Sequence, residues 1–209
     1  MPKVKICGIC HEIEIGIMNE LMPDFVGFVF HSKSRHFIAP EHAGLLRSKL
    51  RKGIRSVGVF VNSRLQSVAM CVEVAGLDMI QLHGDETAEY IAKLREYVHC
   101  PIMKVYKISK PIDAERAMSS TADYVMLDGG HAGDGKIFDW SLISGIKGRK
   151  FFLSGGLTPE NLEKALTITP PPYALNVSSG VEANRTKDYR KVMKFILTAR
   201  GQKSSLNLK

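Results

Sequence analysis

The stretch Phe151-Phe152-Leu153-Ser154-Gly155-Gly156-Leu157-Thr158-Pro159-Glu160-Asn161-Leu162 reads as strand, tight turn and helix. Its apolar start suits a buried strand. Gly155 and Gly156 come next, where the backbone turns sharply or lies against another group. Thr158 suits a helix N-cap and Pro159 the first helical position. A glycine pair feeding a helix start leaves N–H groups unpaired at the positive end of a helix dipole, a natural seat for phosphate. A second such turn follows: Ala174-Leu175-Asn176-Val177 and then Ser178-Ser179-Gly180. Either turn alone fits an ordinary strand-to-helix connection. Together, two adjacent strand ends offer one phosphate a grip of small residues.

The alternation repeats upstream. Strands are predicted at Val4 to Cys7, Phe25 to Phe30, Ser56 to Val61, Met79 to His83, Pro101 to Tyr106 and Tyr124 to Asp128. Helices are predicted from Glu12 to Met22, from Pro40 through Leu50, around Leu65, Val68, Ala69 and Val72, from Glu86 to Tyr97 and near Asp113 to Met118. Asn62 or Ser63 is placed to cap the third of these and Asp85 the fourth. A glycine-rich loop, Gly129 to Gly135, and a short helical turn, Trp140 to Ile143, precede the opening stretch. The last helix carries Tyr189, Val192, Met193, Ile196 and Leu197 on one face. Eight strands alternating with helical segments argue for an α/β fold with a parallel sheet sheathed by helices. The expectation is a single small (βα)8 TIM barrel over residues 1–200, with a polar tail, 201–209, that frays. In such a barrel a phosphate grip forms after strands seven and eight. The competing open doubly wound sheet needs a nucleotide fingerprint after an early strand, and Cys7-Gly8-Ile9-Cys10 is not one.

The 209 residues suffice for one well-cored domain, and 44% hydrophobic with 24% charged content is ordinary for a soluble protein. No apolar run is long enough for a membrane span, and Met1-Pro2-Lys3-Val4-Lys5 has no leader-like apolar region. A cytoplasmic home fits four cysteines whose spacing suggests no disulfide framework. The net charge of +8 raises nucleic acid as a partner. The one denser basic run, Arg185, Lys187, Arg190, Lys191 and Lys194, lacks any recognition signature and reads as a solvated helix face. A positive potential also gathers a small anionic substrate.

In a barrel the chemistry sits at the carboxyl ends of the strands: Cys7, the Phe30-His31 corner, Asn62, His83, Tyr106, Asp128, Ser154 and Ser178. Cys7 and Asp128 are the proton-transfer groups with the least structural reason for their positions, although Asp128 would also serve as a turn residue. Period-two alternation puts Lys5 on the same face as Cys7 and places His83 inward.

Several segments together resemble phosphoribosylanthranilate isomerase of tryptophan biosynthesis. They are Lys5-Ile6-Cys7-Gly8-Ile9, Gly27-Phe28-Val29-Phe30, Val57-Gly58-Val59-Phe60-Val61-Asn62, Gln81-Leu82-His83-Gly84, Leu127-Asp128, Gly135-Lys136-Ile137-Phe138-Asp139-Trp140, Leu153-Ser154-Gly155-Gly156-Leu157, and Val177-Ser178-Ser179-Gly180-Val181-Glu182. The resemblance implies an aldose–ketose isomerase, an intramolecular oxidoreductase without cofactor or metal. It turns N-(5-phosphoribosyl)anthranilate into 1-(2-carboxyphenylamino)-1-deoxyribulose 5-phosphate by an Amadori rearrangement. It implies Asp128 as general acid and Cys7 as general base. The two turns read above put the phosphate seat at Gly155, Gly156, Ser178, Ser179 and Gly180, and His83, inward at the end of strand four, is placed either to orient substrate or to serve as a hydrogen-bonded core-edge histidine. A free thiol ionises near pH ~8.5, so a base at Cys7 calls for a nearby cation, and Lys5 is the candidate. Burial of Asp128 would favour its acid form.

The chain departs from the family pattern in places. In Ser32-Lys33-Ser34-Arg35-His36-Phe37-Ile38, His36 stands where the family has the arginine expected to hold the substrate carboxylate, and Arg35 lies one position earlier. A neutral histidine does not replace a bidentate guanidinium. Asn176 stands for an aspartate usual on strand eight, expected inward and against Lys5, and Cys10 for a threonine. Cys7-x-x-Cys10 also admits a zinc or redox reading, though no second pair completes a metal set. Two alternatives stand beside the isomerase: a catalytically impaired paralogue that binds a phosphosugar, and the related aminoaldose isomerase of histidine biosynthesis, which pairs two aspartates and grips two phosphates. The chain is expected as a monomer or a homodimer.

Overall fold

A computed structural model describes residues 1–130 and 137–202. Eight parallel strands close into a ring in chain order. They are β1 (Lys3–Cys7), β2 (Phe25–Val29), β3 (Arg55–Phe60), β4 (Met79–Leu82), β5 (Ile102–Lys107), β6 (Tyr124–Asp128), β7 (Phe151–Leu153) and β8 (Ala174–Val177). Around them lie α1 (Glu12–Leu21), α2 (Pro40–Ser48), α3 (Leu65–Ala75), α4 (Ala88–Leu94), α5 (Pro111–Met118), α6 (Leu162–Ala165) and α7 (Tyr189–Ala199). A 3-10 turn, Trp140–Ile143, stands where a helix would follow β6. A two-residue hairpin, β9 (Glu182–Ala183) with β10 (Thr186–Lys187), links β8 to α7. No helix among the described residues is long and apolar enough to cross a membrane.

The interior of the ring follows from strand alternation. Phe25, Val57, Met79, Met103, Val105, Met126, Phe152 and Ala174 point inward and pack into one apolar plug. One step further along the same face come Gly27 on β2, Gln81 on β4, Asp128 on β6 and Asn176 on β8, so the filling changes from apolar to polar toward the carboxyl ends. The alternate residues of each strand face a second, larger core beneath the helices.

Several local expectations are corrected. The helix after β7 begins at Leu162, not at Pro159. Asn161 Oδ1 accepts from the Thr158 N–H at 2.9 Å, so the segment from Thr158 makes an extra turn first. Asn62 and Asp85 bond to each other (Asp85 N–H to Asn62 Oδ1, 2.7 Å) instead of capping. The helices beside them start later, at Leu65, and at Ala88 with Thr87 as its cap. Lys187 is not on the solvated helix face: it lies on β10 and is buried. The buried face of α7 is Val192, Phe195, Ile196 and Ala199, while Tyr189 is exposed. Of the expected tail, Gln202 donates its N–H to Leu197 O behind α7, and 203–209 lie outside the described residues, as does most of the glycine-rich loop, 131–136.

Glu14 ties the start of α1 to the hairpin. Its buried carboxylate accepts from the N–H groups of Cys10 (2.8 Å), His11 (3.0 Å) and Lys187 (3.0 Å). Removing it strands three donors, so Glu14→Ala is expected to lower unfolding stability by about 2–4 kcal/mol. Urea titration checks this, and a loss below about 1 kcal/mol would mean that water replaces the carboxylate.

Candidate functional site

The carboxyl ends of the strands surround a cavity of about 680 Å³. Cys7, last residue of β1, and Asp128, last residue of β6, both line it from strands three places apart around the ring. Each is nearly buried, at 8% and 9% exposed. The Cys7 thiol is free, and Asp128 Oδ1 accepts the Gly130 N–H at 2.7 Å. Asn62 and Tyr106, at the ends of β3 and β5, stay out of the cavity lining.

Below Cys7 lies Lys5, with no exposed surface. Its ammonium donates to Asn176 Oδ1 at 2.8 Å, and Asn176 Nδ2 donates to Ser154 Oγ at 3.0 Å. A neutral amide, not a carboxylate, thus holds this buried cation. The reason β2 carries a glycine opposite is steric. A Cβ on Gly27 would lie 2.7 Å from Cys7 Sγ and 3.0 Å from Lys5 Nζ, so thiol and ammonium crowd one small space.

The two turns of the sequence reading meet. Gly155 and Gly156 adopt positive φ of 94° and 66°, open only to glycine at low cost. Asn161 Nδ2 pins the turn by donating to Gly156 O at 2.8 Å. The N–H groups of Gly155 and Gly156 have no backbone acceptor among the described residues. After β8, Gly180 lies so close to the first turn that a Cβ would sit 2.0 Å from Leu157 O. With Ser178 and Ser179, these glycines line one end of the cavity. The free N–H groups here belong to the turn backbone, since the helix behind the first turn starts too late to aim its dipole there. Ser178 Oγ donates to Cys7 O at 3.0 Å, which links this end to β1.

Arg35 and His36 also line the cavity, and both turn toward Glu182, two residues past Gly180. Arg35 Nη2 donates to Glu182 Oε2 at 2.7 Å. His36 Nε2 lies 2.9 Å from Glu182 Oε1, near enough for charge attraction but without closing a hydrogen bond. Lys187 Nζ donates to the same oxygen at 2.5 Å. Burial pushes the Glu182 carboxyl up, but the His36 imidazole and the Lys187 ammonium beside it outweigh that and hold it at about 2. Gly8, at φ 82°, admits the His36 ring: a Cβ there would meet His36 Cγ at 2.9 Å.

His83 sits just past β4, exposed by its surface area and lining the cavity. Its imidazole titrates below the ordinary range. Burial is the main cause and Asp128 opposes it, while Lys5 and Lys104 push further down and Glu86 pulls back. His83 is therefore neutral at pH 7. Cys10 stands outside the cavity lining with a free thiol pushed up, first by burial and then by Glu14, so it is a poor thiolate. No group of three metal-ligating side chains occurs among the described residues. Sequence reading missed Glu182 as the anchor of the rim, Lys187 beneath it, and Gln81 in the lining. Only Gln81 left a usable signal, two residues before His83 on the same strand face.

A sequence profile described as N-(5'-phosphoribosyl)anthranilate (PRA) isomerase matches residues 4–198. The chain belongs to the N-(5'-phosphoribosyl)anthranilate isomerase family. The enzyme of that name from Thermotoga neapolitana is 40% identical over 207 residues, covering 96% of this chain and 100% of its own. The one from Caldanaerobacter subterraneus subsp. tengcongensis is 38% identical over 206 residues, covering 96% and 99%. The solved phosphoribosyl anthranilate isomerase of Thermotoga maritima superposes with a TM-score of 0.88 at 38% identity, covering 96% of this chain and all of that one. A further solved isomerase of this family, TM-score 0.84 at 36% identity over 96% of this chain and all of its own, is in complex with reduced 1-(o-carboxyphenylamino)-1-deoxyribulose 5-phosphate.

Because Glu182 ionises lower in the folded protein than its ordinary 4.5, its pairing stabilises the fold above that value. The contribution is lost as pH falls toward about 2. The stability difference between the unaltered protein and Glu182→Gln is expected to shrink by on the order of 2–3 kcal/mol from about pH 5 to about pH 2. Chemical denaturation at a series of pH values measures it, and a pH-independent difference would contradict the ion cluster.

Proposed function

We propose that this chain isomerises N-(5'-phosphoribosyl)anthranilate to 1-(2-carboxyphenylamino)-1-deoxyribulose 5-phosphate in tryptophan biosynthesis, in the cytoplasm, as a single barrel over residues 1–200. The observation that carries the reading is the meeting of Cys7, Asp128 and the paired glycine turns around one cavity. Family membership and the relative solved with the reduced product support it.

The phosphate rests on the turns at Gly155-Gly156 and Ser178-Ser179-Gly180, held by backbone N–H groups. Asp128, as the acid, gives its proton to the furanose oxygen. The C1–O bond breaks and the nitrogen lone pair forms the C1=N bond of a Schiff base. Cys7, as thiolate, takes the C2 proton, and the C2–H electron pair forms C1=C2 while the iminium electrons return to nitrogen. The resulting enolamine takes a proton at C1 and loses the C2 hydroxyl proton to become the ketone. Protons given and taken balance, so the reaction is a net isomerisation. Lys5, beneath the thiol, supplies positive potential where the thiolate forms.

Arg35 and His36 form the seat for the substrate's carboxylate. Both already face Glu182. The seat is thus weaker than a free bidentate arginine. This is also the observation that favours the second reading, an impaired paralogue that binds a phosphosugar without turning it over.

Loss of phosphoribosylanthranilate fluorescence with purified protein separates the two. Turnover supports the isomerase, and saturable phosphosugar binding without turnover supports the paralogue. Cys7→Ser and Asp128→Asn are each expected to lower kcat by about 10²–10⁴-fold with the fold intact by circular dichroism. His36→Arg is expected to lower KM by roughly 3–10-fold with little change in kcat, read in the same assay.

A further inference from the structure

Gln81 has no place in the steps above, yet it is buried in the barrel at 1% exposed and lines the cavity. Its side chain makes one hydrogen bond among the described residues: Nε2 stands 3.3 Å from His83 Nδ1. Its Oε1 has no partner among them. The amide turns its nitrogen toward the imidazole, and since an amide nitrogen can only donate, Nδ1 accepts in this orientation. A neutral imidazole carries one proton, which then sits on Nε2, the nitrogen left for the cavity. The opposite amide orientation would put the proton on Nδ1 and leave only a lone pair for the cavity. The two orientations give His83 opposite chemistry, donor or acceptor.

We propose that Gln81 is a positioning residue that fixes the His83 proton on Nε2 and so aims one neutral hydrogen-bond donor at an oxygen of the bound aminosugar phosphate between Cys7 and Asp128. The identity of that ligand rests on the isomerase reading; the placement of the proton does not. A neutral donor suits the site. It holds a sugar oxygen without competing with Asp128 for the role of acid, and it adds no cation to Lys5.

The charged groups acting on the His83 ring are Asp128, Lys5, Lys104 and Glu86. None of them bonds to Nδ1 among the described residues, so Gln81 is the group whose replacement should redistribute the proton. In the ¹⁵N-histidine-labelled protein near pH 7.5, with His83 assigned by its loss in His83→Asn, the ring is expected as the Nε2–H tautomer. Gln81→Met keeps the volume and removes the amide. A mixture of tautomers and a roughly tenfold fall in kcat at nearly constant KM are expected. Gln81→Glu sets a carboxylate against Nδ1, draws a proton there, and should move the His83 titration and the acid limb of the kcat profile to higher pH. An Nδ1–H tautomer in the unaltered protein overturns the proposal, and that test needs no variant to fold. An unchanged tautomer and kcat in a folded Gln81→Met also overturns it. A fixed Nε2–H tautomer in protein that does not turn over phosphoribosylanthranilate upholds the proton placement and overturns the isomerase reading instead.

Discussion

The ring of strands closes between β1 and β8, and that seam sets the geometry of the whole mouth. In its register Lys5 lies beside Asn176, and their side chains bond across it at 2.8 Å. One residue past β8, Ser178 reaches back to the carbonyl of Cys7, and Lys187 reaches the carbonyl of Ser178 at 3.3 Å. Glu14 then holds the Lys187 backbone to the start of α1. The thiol at the end of β1 and the turn proposed to seat the phosphate are thus fixed to one another by a short chain of hydrogen bonds. Their separation does not depend on flexible loops, and positioning of this kind is what proton transfer to a bound sugar requires.

The seam also concentrates buried charge. An ammonium without solvent is costly unless its donors are met. Lys5 is met by a neutral amide, which leaves its field directed at the thiol it crowds. Lys187 is handled differently, neutralised by Glu182, which is shared with Arg35 and approached by His36. One site therefore contains a cation with no carboxylate partner among the described residues, next to the proposed base, and a compensated cluster at the proposed carboxylate seat. The net charge of +8 is consistent with drawing in a phosphorylated anion, but the local arrangement decides what the anion meets.

Much of this was legible in the sequence because strand alternation is a strong, local signal. Cys7, His83 and Asp128, read as ends of apolar runs, line the cavity, while Asn62 and Tyr106, read the same way, do not; alternation also puts Lys5 on the Cys7 face, and Asn176 was marked by the family resemblance. The two glycine turns were found for the same reason, although the helix expected at Pro159 starts at Leu162 because Asn161 folds back on Thr158 first. What escaped was set by tertiary contact. Lys187 sits in a run of basic residues and looks solvated, yet the hairpin after β8 turns it inward onto Glu182. Asn62 and Asp85 both look like helix caps, and only the pairing of β3 with β4 brings them together. Arg35 and His36 could be placed on the rim, but nothing local reveals that a carboxylate far along the chain claims both.

The central claim is that one sugar lies between Cys7 and Asp128 with its phosphate on the two turns. A crystal structure with reduced 1-(o-carboxyphenylamino)-1-deoxyribulose 5-phosphate bound tests it most directly. Phosphate oxygens are expected on the backbone of Gly155-Gly156 and Ser179-Gly180, with carbons 1 and 2 flanked by the Cys7 thiol and the Asp128 carboxyl. A ligand whose phosphate sits elsewhere, or whose second carbon is out of reach of Cys7, would contradict it.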